Sequence, residues 1–434
     1  MERLYLGEIS EKMLNQEVLV SGWVQNLRVV GKLAFLILRD WTGLGQVIIR
    51  DSTPFFKEVS NLTLESVVSV KGILKESKQS KFGWEIEAKE LKIITKAEAP
   101  IPLNISGKVE SSLDARLDWR PIDLRTPESK AIFRIQAKIV QAMTNYLVSN
   151  GYLQVFTPCL LYRGAEGGAD VFKLDYFGKE AYLRQDPQLH RELSIIGGVE
   201  RLFEVGPSFR AEKSFTTRHL CEYHSIAVEQ AFIKDERDLE RVQEQMCLAA
   251  IKELKENCEK ELEVLGVELE VPKTPFPELN FPEIYSVLEE LGKPSKFGED
   301  YGSEQEVALG EYVKEKYGCD FFFVNRFPFA VKPFYVRRVE EDPRWARSID
   351  LIFKGLEIST GGQREHEYER LLINLKEKNI NPADFEWFTK YFKYGVPPLG
   401  GFAIGIERFT KQLLGRTNIR ECRLFPRDVQ RLEP

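Results

Sequence analysis

The chain has 434 residues, enough for two or three domains, and its 43% hydrophobic and 29% charged residues suit a globular protein with a sizeable core. Its 61 Lys and Arg against 67 Asp and Glu leave a net charge of −6, which speaks against indiscriminate phosphate binding, a habit that shows as a basic surplus. The 6 scattered cysteines, none at CxxC spacing, and the 4 histidines without HExxH argue against a disulfide scaffold and a zinc enzyme.

No apolar run approaches the roughly 18 residues of a membrane span, and MERLYLGEIS has no signal-peptide pattern, so a cytoplasmic setting without a membrane partner is expected. Residues 1–100 read as five short strands: EVLVSGWVQ (17–25), KLAFLILRD (32–40), GQVIIRD (45–51), SVVSVKGIL (66–74) and WEIEAKELKII (84–94). That spacing suggests a small closed β-barrel, an OB-fold or an SH3-like barrel. This region holds 14 Lys and Arg against 13 Asp and Glu, so the acidity belongs to the rest of the chain. A Pro-punctuated stretch over 97–121 reads as a hinge, which divides the chain into a barrel at 1–100, a hinge at 101–125 and a larger domain at 126–434.

Within the larger part, IFRIQAKIVQAMTNYLVSNG (132–151) has helical periodicity with Gly151 as a C-cap. DERDLERVQEQMCLAAIKELKENC (235–258) is amphipathic, with Leu239, Val242, Met246, Ala249 and Leu254 on one face. Strands such as RLFEVGPSFRA, FFFVNRF, SIDLIFKGLEIS and GFAIGIE cluster around these helices without regular alternation. The expectation is an α+β domain on an antiparallel sheet with flanking helices. There is no GxxxxGKS/T loop and no GxGxxG turn, so phosphates are not cradled by a glycine loop. Arginines at strand ends take that place, being planar and always charged.

Four segments carry the chemistry. FRAEKSFTTRHLCEYHSIAVE (209–229) resembles motif 2 of the class II aminoacyl-tRNA synthetases, and GGFAIGIERF (400–409) resembles their motif 3. IFRIQAKIVQAMTNYLVSNGYLQVFTP (132–158) resembles motif 1, the usual homodimer interface. KGLEISTGGQREH (354–366) is similar to the aspartyl branch's GxEIxSGxQRxH, QDPQLHR (185–191) to QSPQxxK, and AEGGADVF (165–172) to the TEGG loop of the archaeal and eukaryotic type. GWVQNLR and AFLILRDWTGLGQ (22–46) resemble the family's anticodon-binding OB-fold.

The resemblance implies ATP-dependent attachment of aspartate to tRNA(Asp), with tRNA(Asn) left open as a second substrate, and Mg²⁺ as cofactor. It implies that Arg210 binds the α-phosphate and the substrate carboxylate, and that Arg218 and His219 face the outer phosphates. Tyr223 and Arg408 would enclose adenine, with Glu212, Leu220, Gly405, Ile406 and Glu407 completing the ATP site. Glu357 and Thr360 would hold Mg²⁺ between the phosphates. Glu166, Asp186, Gln188, Arg191, Thr360 and Arg364 would line the aspartate site. Arg364 would grip the side-chain carboxylate bidentately, and a structural salt bridge is its alternative role. In the barrel, Phe35 would stack on an anticodon base, or else be core. Gln46 would bond a base edge, with Arg28 a third candidate and Gln25 and Lys81 bearing on tRNA choice. Three positions depart from the family. Lys becomes Arg191, Ser becomes Asp186, and the Asp of an I-D-x-E segment becomes Ala227. Asp186 is therefore expected to meet the substrate ammonium in place of the lost carboxylate. The departures also leave open a ligase for asparagine or another amino acid, or a paralogue that works without tRNA.

Overall fold

Val18, Val20 and Val24 fall on one side of an extended chain, and they turn inward along the first strand of a barrel. The computed structural model describes residues 1–105, 111–162, 171–186 and 188–433 and divides into two units, Met1–Pro102 and Leu103–Pro434. In the first unit β1 (Glu17–Val30), β2 (Leu33–Arg39), β3 (Leu44–Arg50), β4 (Val67–Glu76) and β5 (Trp84–Thr95) close in the order β1-β2-β3-β5-β4. A short helix, α1 (Phe56–Ser60), sits between β3 and β4. This is the OB-fold and not the SH3-like alternative. Val20, Leu36, Leu38, Val47, Val70 and Ile86 fill its interior, each worth about 1.5–3 kcal/mol of burial.

The second unit opens with α2 (Leu113–Asp118) and α3 (Arg120–Asp123). Residues 113–118 and 120–123 of the expected hinge are therefore helical. Arg120 explains why: its buried guanidinium pairs with Asp123 at 2.7 Å and donates to the carbonyls of Glu421, Arg423 and Leu424 at 3.1, 2.8 and 2.9 Å. Then comes α4 (Pro127–Ser149), which starts five residues earlier than its apolar periodicity suggests. Thr126 accepts from the Ser129 N–H at 3.2 Å and Pro127 occupies the first turn, a standard helix start. Asn150 ends it, and Gly151 follows at φ 79°.

The strands β6 (Leu153–Gln154), β7 (Leu160–Leu161), β8 (Lys173–Tyr176) and β9 (Lys179–Leu183) lead to α5 (Gln188–Ile196). Next are β10 (Arg201–Phe209), β11 (Glu222–Ala231), α6 (Arg237–Asn257), α7 (Glu259–Leu265), β12 (Glu278–Asn280), α8 (Glu283–Glu290) and α9 (Ser303–Tyr317). The chain closes with β13 (Phe321–Asn325), β14 (Ser348–Phe353), β15 (Leu356–Gln363), α10 (Tyr368–Glu377), α11 (Glu386–Thr389), β16 (Leu399–Gly405) and α12 (Ile406–Leu413). An 8-stranded sheet runs β12-β13-β14-β15-β16-β11-β10-β6. Its pairs are antiparallel except at the edges, where β12 joins β13 and β6 joins β10 in parallel. The α4 face of Ile132, Ile135, Ile139 and Met143 and the α6 face of Leu239, Met246 and Leu254 share one core with the sheet residues Phe203, Val228, Leu351 and Phe402. The last-made strand, β16, lies between β15 and β11 and so joins the two halves of the sheet.

Candidate active site

The strands β10, β11, β15 and β16 support a cleft of about 670 Å³. Asp186, Arg210, Glu212, Arg218, His219, Leu220, Tyr223, Glu357, Thr360, Gly405, Glu407 and Arg408 all line it, although they are spread over more than half the chain. Arg210 follows the last residue of β10, its N–H bonded to the Cys221 carbonyl at 2.9 Å. Its guanidinium carbon lies 5.7 Å from the Tyr223 ring centroid, and its enclosed Nε has no protein partner. A buried N–H without a partner is costly unless something fills the place.

At the outer end, Arg408 donates to the Glu357 carboxylate at 2.9 Å and to the Glu357 carbonyl at 3.1 Å. Arg218 is ion-paired with Glu306 of α9, and the same carboxylate accepts the Glu357 N–H. His219 shares a hydrogen bond with Thr216 Oγ1 at 2.8 Å. Burial, with Arg408 second, pushes its pKa below the ordinary 6.5. Two residues expected at the ATP site turn their side chains elsewhere. Ile406 packs into the core beside Phe409. Glu407 borders the cleft, yet its carboxylate is buried and committed, accepting the His224 N–H at 3.1 Å and Arg423 at 3.0 Å.

Thr360 donates to Asp350 Oδ1 at 2.6 Å, and Lys332 lies 3.3 Å from the same carboxylate. Burial pushes the Asp350 carboxyl up to about 7. Among the described residues no group of three or more His, Cys, Asp or Glu gathers as a metal cage. The donors at Glu357 and Thr360 are few, hard oxygens. They fit Mg²⁺, which takes few protein ligands and fills its shell with water and phosphate.

Beyond Asp186 lies a buried cluster of charged side chains. Arg191 is fully buried, 2.8 Å from Asp186 Oδ1 and 3.0 Å from Gln188 Oε1. Its Nε and Nη1 have no hydrogen-bond partner. Arg364, also buried, donates to Glu229 at 3.0 Å and to Gln188 at 2.8 Å. Gln188 Nε2 bonds both Glu192 and Glu229 at 3.0 Å. Burial first, and Glu229 second, push the Glu192 carboxyl up to about 8. Asp186, expected to meet an ammonium, borders the cleft with its Oδ1 2.8 Å from Arg191. Ala227, buried on β11 opposite Glu204, leaves no carboxylate there. Glu166 lies outside the described residues.

In the barrel unit, Ala34, Leu36 and Leu38 point inward, which puts Phe35 half-exposed on the outer face, not in the core. Arg28 is exposed and directly opposite it on β1. Gln46 bonds Glu85 at 2.9 Å. Lys81 is exposed, 5.1 Å from the Phe82 ring centroid. Gln25 sits where the β1–β2 register slips, and its Oε1 is enclosed without a partner. The sequence reading missed Glu192, Glu229, Glu306 and Asp350. The one signal was that acidic residues inside apolar strands or on a buried helix face need a partner.

The family described as tRNA synthetases class II (D, K and N) matches residues 112–429, and an OB-fold nucleic acid binding domain matches 18–94. The chain belongs to the class II tRNA synthetases. Over 433 residues it is 41% identical to the aspartate–tRNA(Asp) ligase of Pyrococcus furiosus, covering 99% of both chains. It is 39% identical to the aspartate–tRNA(Asp/Asn) ligase of Aeropyrum pernix, covering 98% of this chain and 97% of that one. Among solved structures, the asparaginyl-tRNA synthetase of Pyrococcus horikoshii with asparaginyl-adenylate superposes with a TM-score of 0.92 at 33% identity over 100% of both chains. The aspartyl-tRNA synthetase of Entamoeba histolytica gives 0.88 at 30% identity, covering 100% of this chain and 93% of that one.

Proposed function

We propose that the protein is an aspartate–tRNA ligase. An oxygen of the aspartate α-carboxylate attacks the α-phosphorus of ATP, the bond to the bridging oxygen breaks, and pyrophosphate leaves. The 3′-hydroxyl of tRNA then takes the aspartyl group and AMP departs. No side chain acts as nucleophile; the protein contributes position and positive charge. Arg210 meets the α-phosphate and carboxylate, Arg218 the outer phosphates, and Tyr223 and Arg408 the adenine. Glu357 and Thr360 would hold Mg²⁺, which offsets phosphate charge when bound.

The observation that carries the choice of amino acid is Arg191. A fully buried guanidinium whose Nη1 has no hydrogen-bond partner, and whose Nε lies 3.9 Å from Glu229 without a hydrogen bond, suits an anion, and a carboxylate matches its fork. Arg364, held by Gln188 beside it, adds a second cation to the side-chain end. A second reading, asparagine, draws on the same pocket, because Asp186 and Glu229 already match the two cations. ATP–pyrophosphate exchange with aspartate and asparagine in parallel decides. Exchange with aspartate is expected, and exchange with asparagine alone overturns the reading. Charging of both tRNAs then tests whether tRNA(Asn) is also a substrate.

The protein acts as a homodimer in the cytoplasm, where tRNA is charged. Leu153 and Phe156, 55% and 81% exposed beside the edge strand β6, support the pairing surface. The barrel reads the anticodon through Phe35, Gln46, Arg28 and Lys81.

A further inference from the structure

Helix α9 lies outside the segments that carry the family's motifs, yet it reaches the outer end of the cleft. Two glycines allow this. A Cβ on Gly310 would lie 2.7 Å from the Gly355 backbone, and one on Gly355 would lie 3.0 Å from Val307 Cα. Gly355 turns the β14–β15 hairpin at φ 69°, a conformation that side chains disfavour. Helix and hairpin therefore touch backbone to backbone. Glu306, one turn before Gly310, is brought onto the first residues of β15.

There its two oxygens do different work. Oε1 accepts the backbone N–H of Glu357, and Oε2 accepts the guanidinium of Arg218. Glu306 is buried, so these bonds form out of water. Arg218 comes from the stretch 211–219, which has no helix or strand to fix it. Its Nε is enclosed without a partner, and the residue lines the cleft. One carboxylate thus ties the irregular wall of the cleft to the regular one.

We propose that Glu306 is a positioning residue that holds Arg218 toward the outer phosphates of ATP and of leaving pyrophosphate. The inference rests on the ligase reading above and adds to it a part of the site that no motif carries. A carboxylate offers an acceptor to each donor, whereas an amide offers one oxygen and must turn its NH₂ toward the other. Glu306→Gln therefore loses one of the two contacts in either orientation. Glu306→Asp keeps the charge but is one methylene short.

The test compares ligands with and without outer phosphates on the full-length protein. In ATP–pyrophosphate exchange, Glu306→Gln raises the KM for ATP and for pyrophosphate about tenfold or more, the scale of one charge-assisted hydrogen bond. The Kd of a non-hydrolysable aspartyl-adenylate analogue, which has only the α-phosphate position, stays within about twofold. Glu306→Asp falls between, which covers the case in which the amide variant does not fold. In an Arg218→Ala background the Glu306→Gln change has no further effect on ATP. Equal weakening of ATP and the analogue, unchanged ATP, or a full effect without Arg218 overturns the proposal. Failure of the wild type to exchange with aspartate counts instead against the ligase reading. In that event the comparison is run with the amino acid it does activate.

Discussion

Replacing Glu192 with glutamine removes a titratable carboxyl from the buried charged cluster while keeping its shape. The carboxylate is fully buried, one oxygen accepts from Gln188 at 3.0 Å, and the other has no partner. Burial and the neighbouring Glu229 push its pKa from the ordinary 4.5 to about 8. A raised acid pKa means that the folded state binds the proton more tightly than the unfolded chain does. The stability this brings is fully present below about 4.5, is lost progressively as pH rises toward 8, and is gone above that. At about 1.4 kcal/mol per pH unit, the whole loss is about 5 kcal/mol. Between about pH 5.5 and 7.5 the wild type should lose about 2–3 kcal/mol that Glu192→Gln does not. Urea unfolding of both proteins at the two pH values measures the difference, and every group common to both cancels. Stability curves that stay parallel within about 0.5 kcal/mol would refute the assignment of a neutral Glu192 to the folded protein at pH 7.

Arg408→Ala frees the Glu357 carboxylate and removes a cation from the nucleotide, and should slow ATP–pyrophosphate exchange by about 10²–10³-fold. Gly310→Ala places a methyl group against backbone that cannot yield. It should cost about 1–3 kcal/mol in thermal or urea unfolding and raise the KM for ATP as Glu306→Gln does. Phe35→Ala should weaken tRNA binding in a filter assay by roughly tenfold to a hundredfold, the loss of about 1–3 kcal/mol of base stacking; unchanged binding would return Phe35 to a structural role.

The barrel is legible in the sequence because alternation is local: the first two strands mark their inner face with small or aliphatic residues at every second position. The same alternation places Phe35 outside, a conclusion that depends on Ala34, Leu36 and Leu38 and not on the phenylalanine itself. The cleft residues are legible because each sits inside a multi-residue motif. What escapes is charge matched across long separations. Arg364 finds Glu229 after 135 residues, Arg218 finds Glu306 after 88, and Arg120 finds the Leu424 carbonyl after 304. No periodicity records such pairs, and a motif names one partner without the other. Asp186 shows the same limit. It stands where the family has serine, and its partner Arg191, which stands where the family has lysine, lies 2.8 Å away. The parallel edge pairs were also hidden, since β6 and β12 are two and three residues long and carry no pattern.

The central place of β16 sets an order on synthesis. The barrel has all of its strands once residue 95 is made, so it can fold while the rest is still being translated. The catalytic sheet cannot. One half, β6, β10 and β11, and the other, β12 to β15, wait for Leu399–Gly405 to join them. Arg408 follows three residues later, and Arg120 waits longer still for the carbonyls of 421–424. A nascent chain therefore presents a finished OB-fold for some 300 residues before it has any site for ATP. An incomplete copy released early has the complete OB-fold but only part of the second unit's sheet.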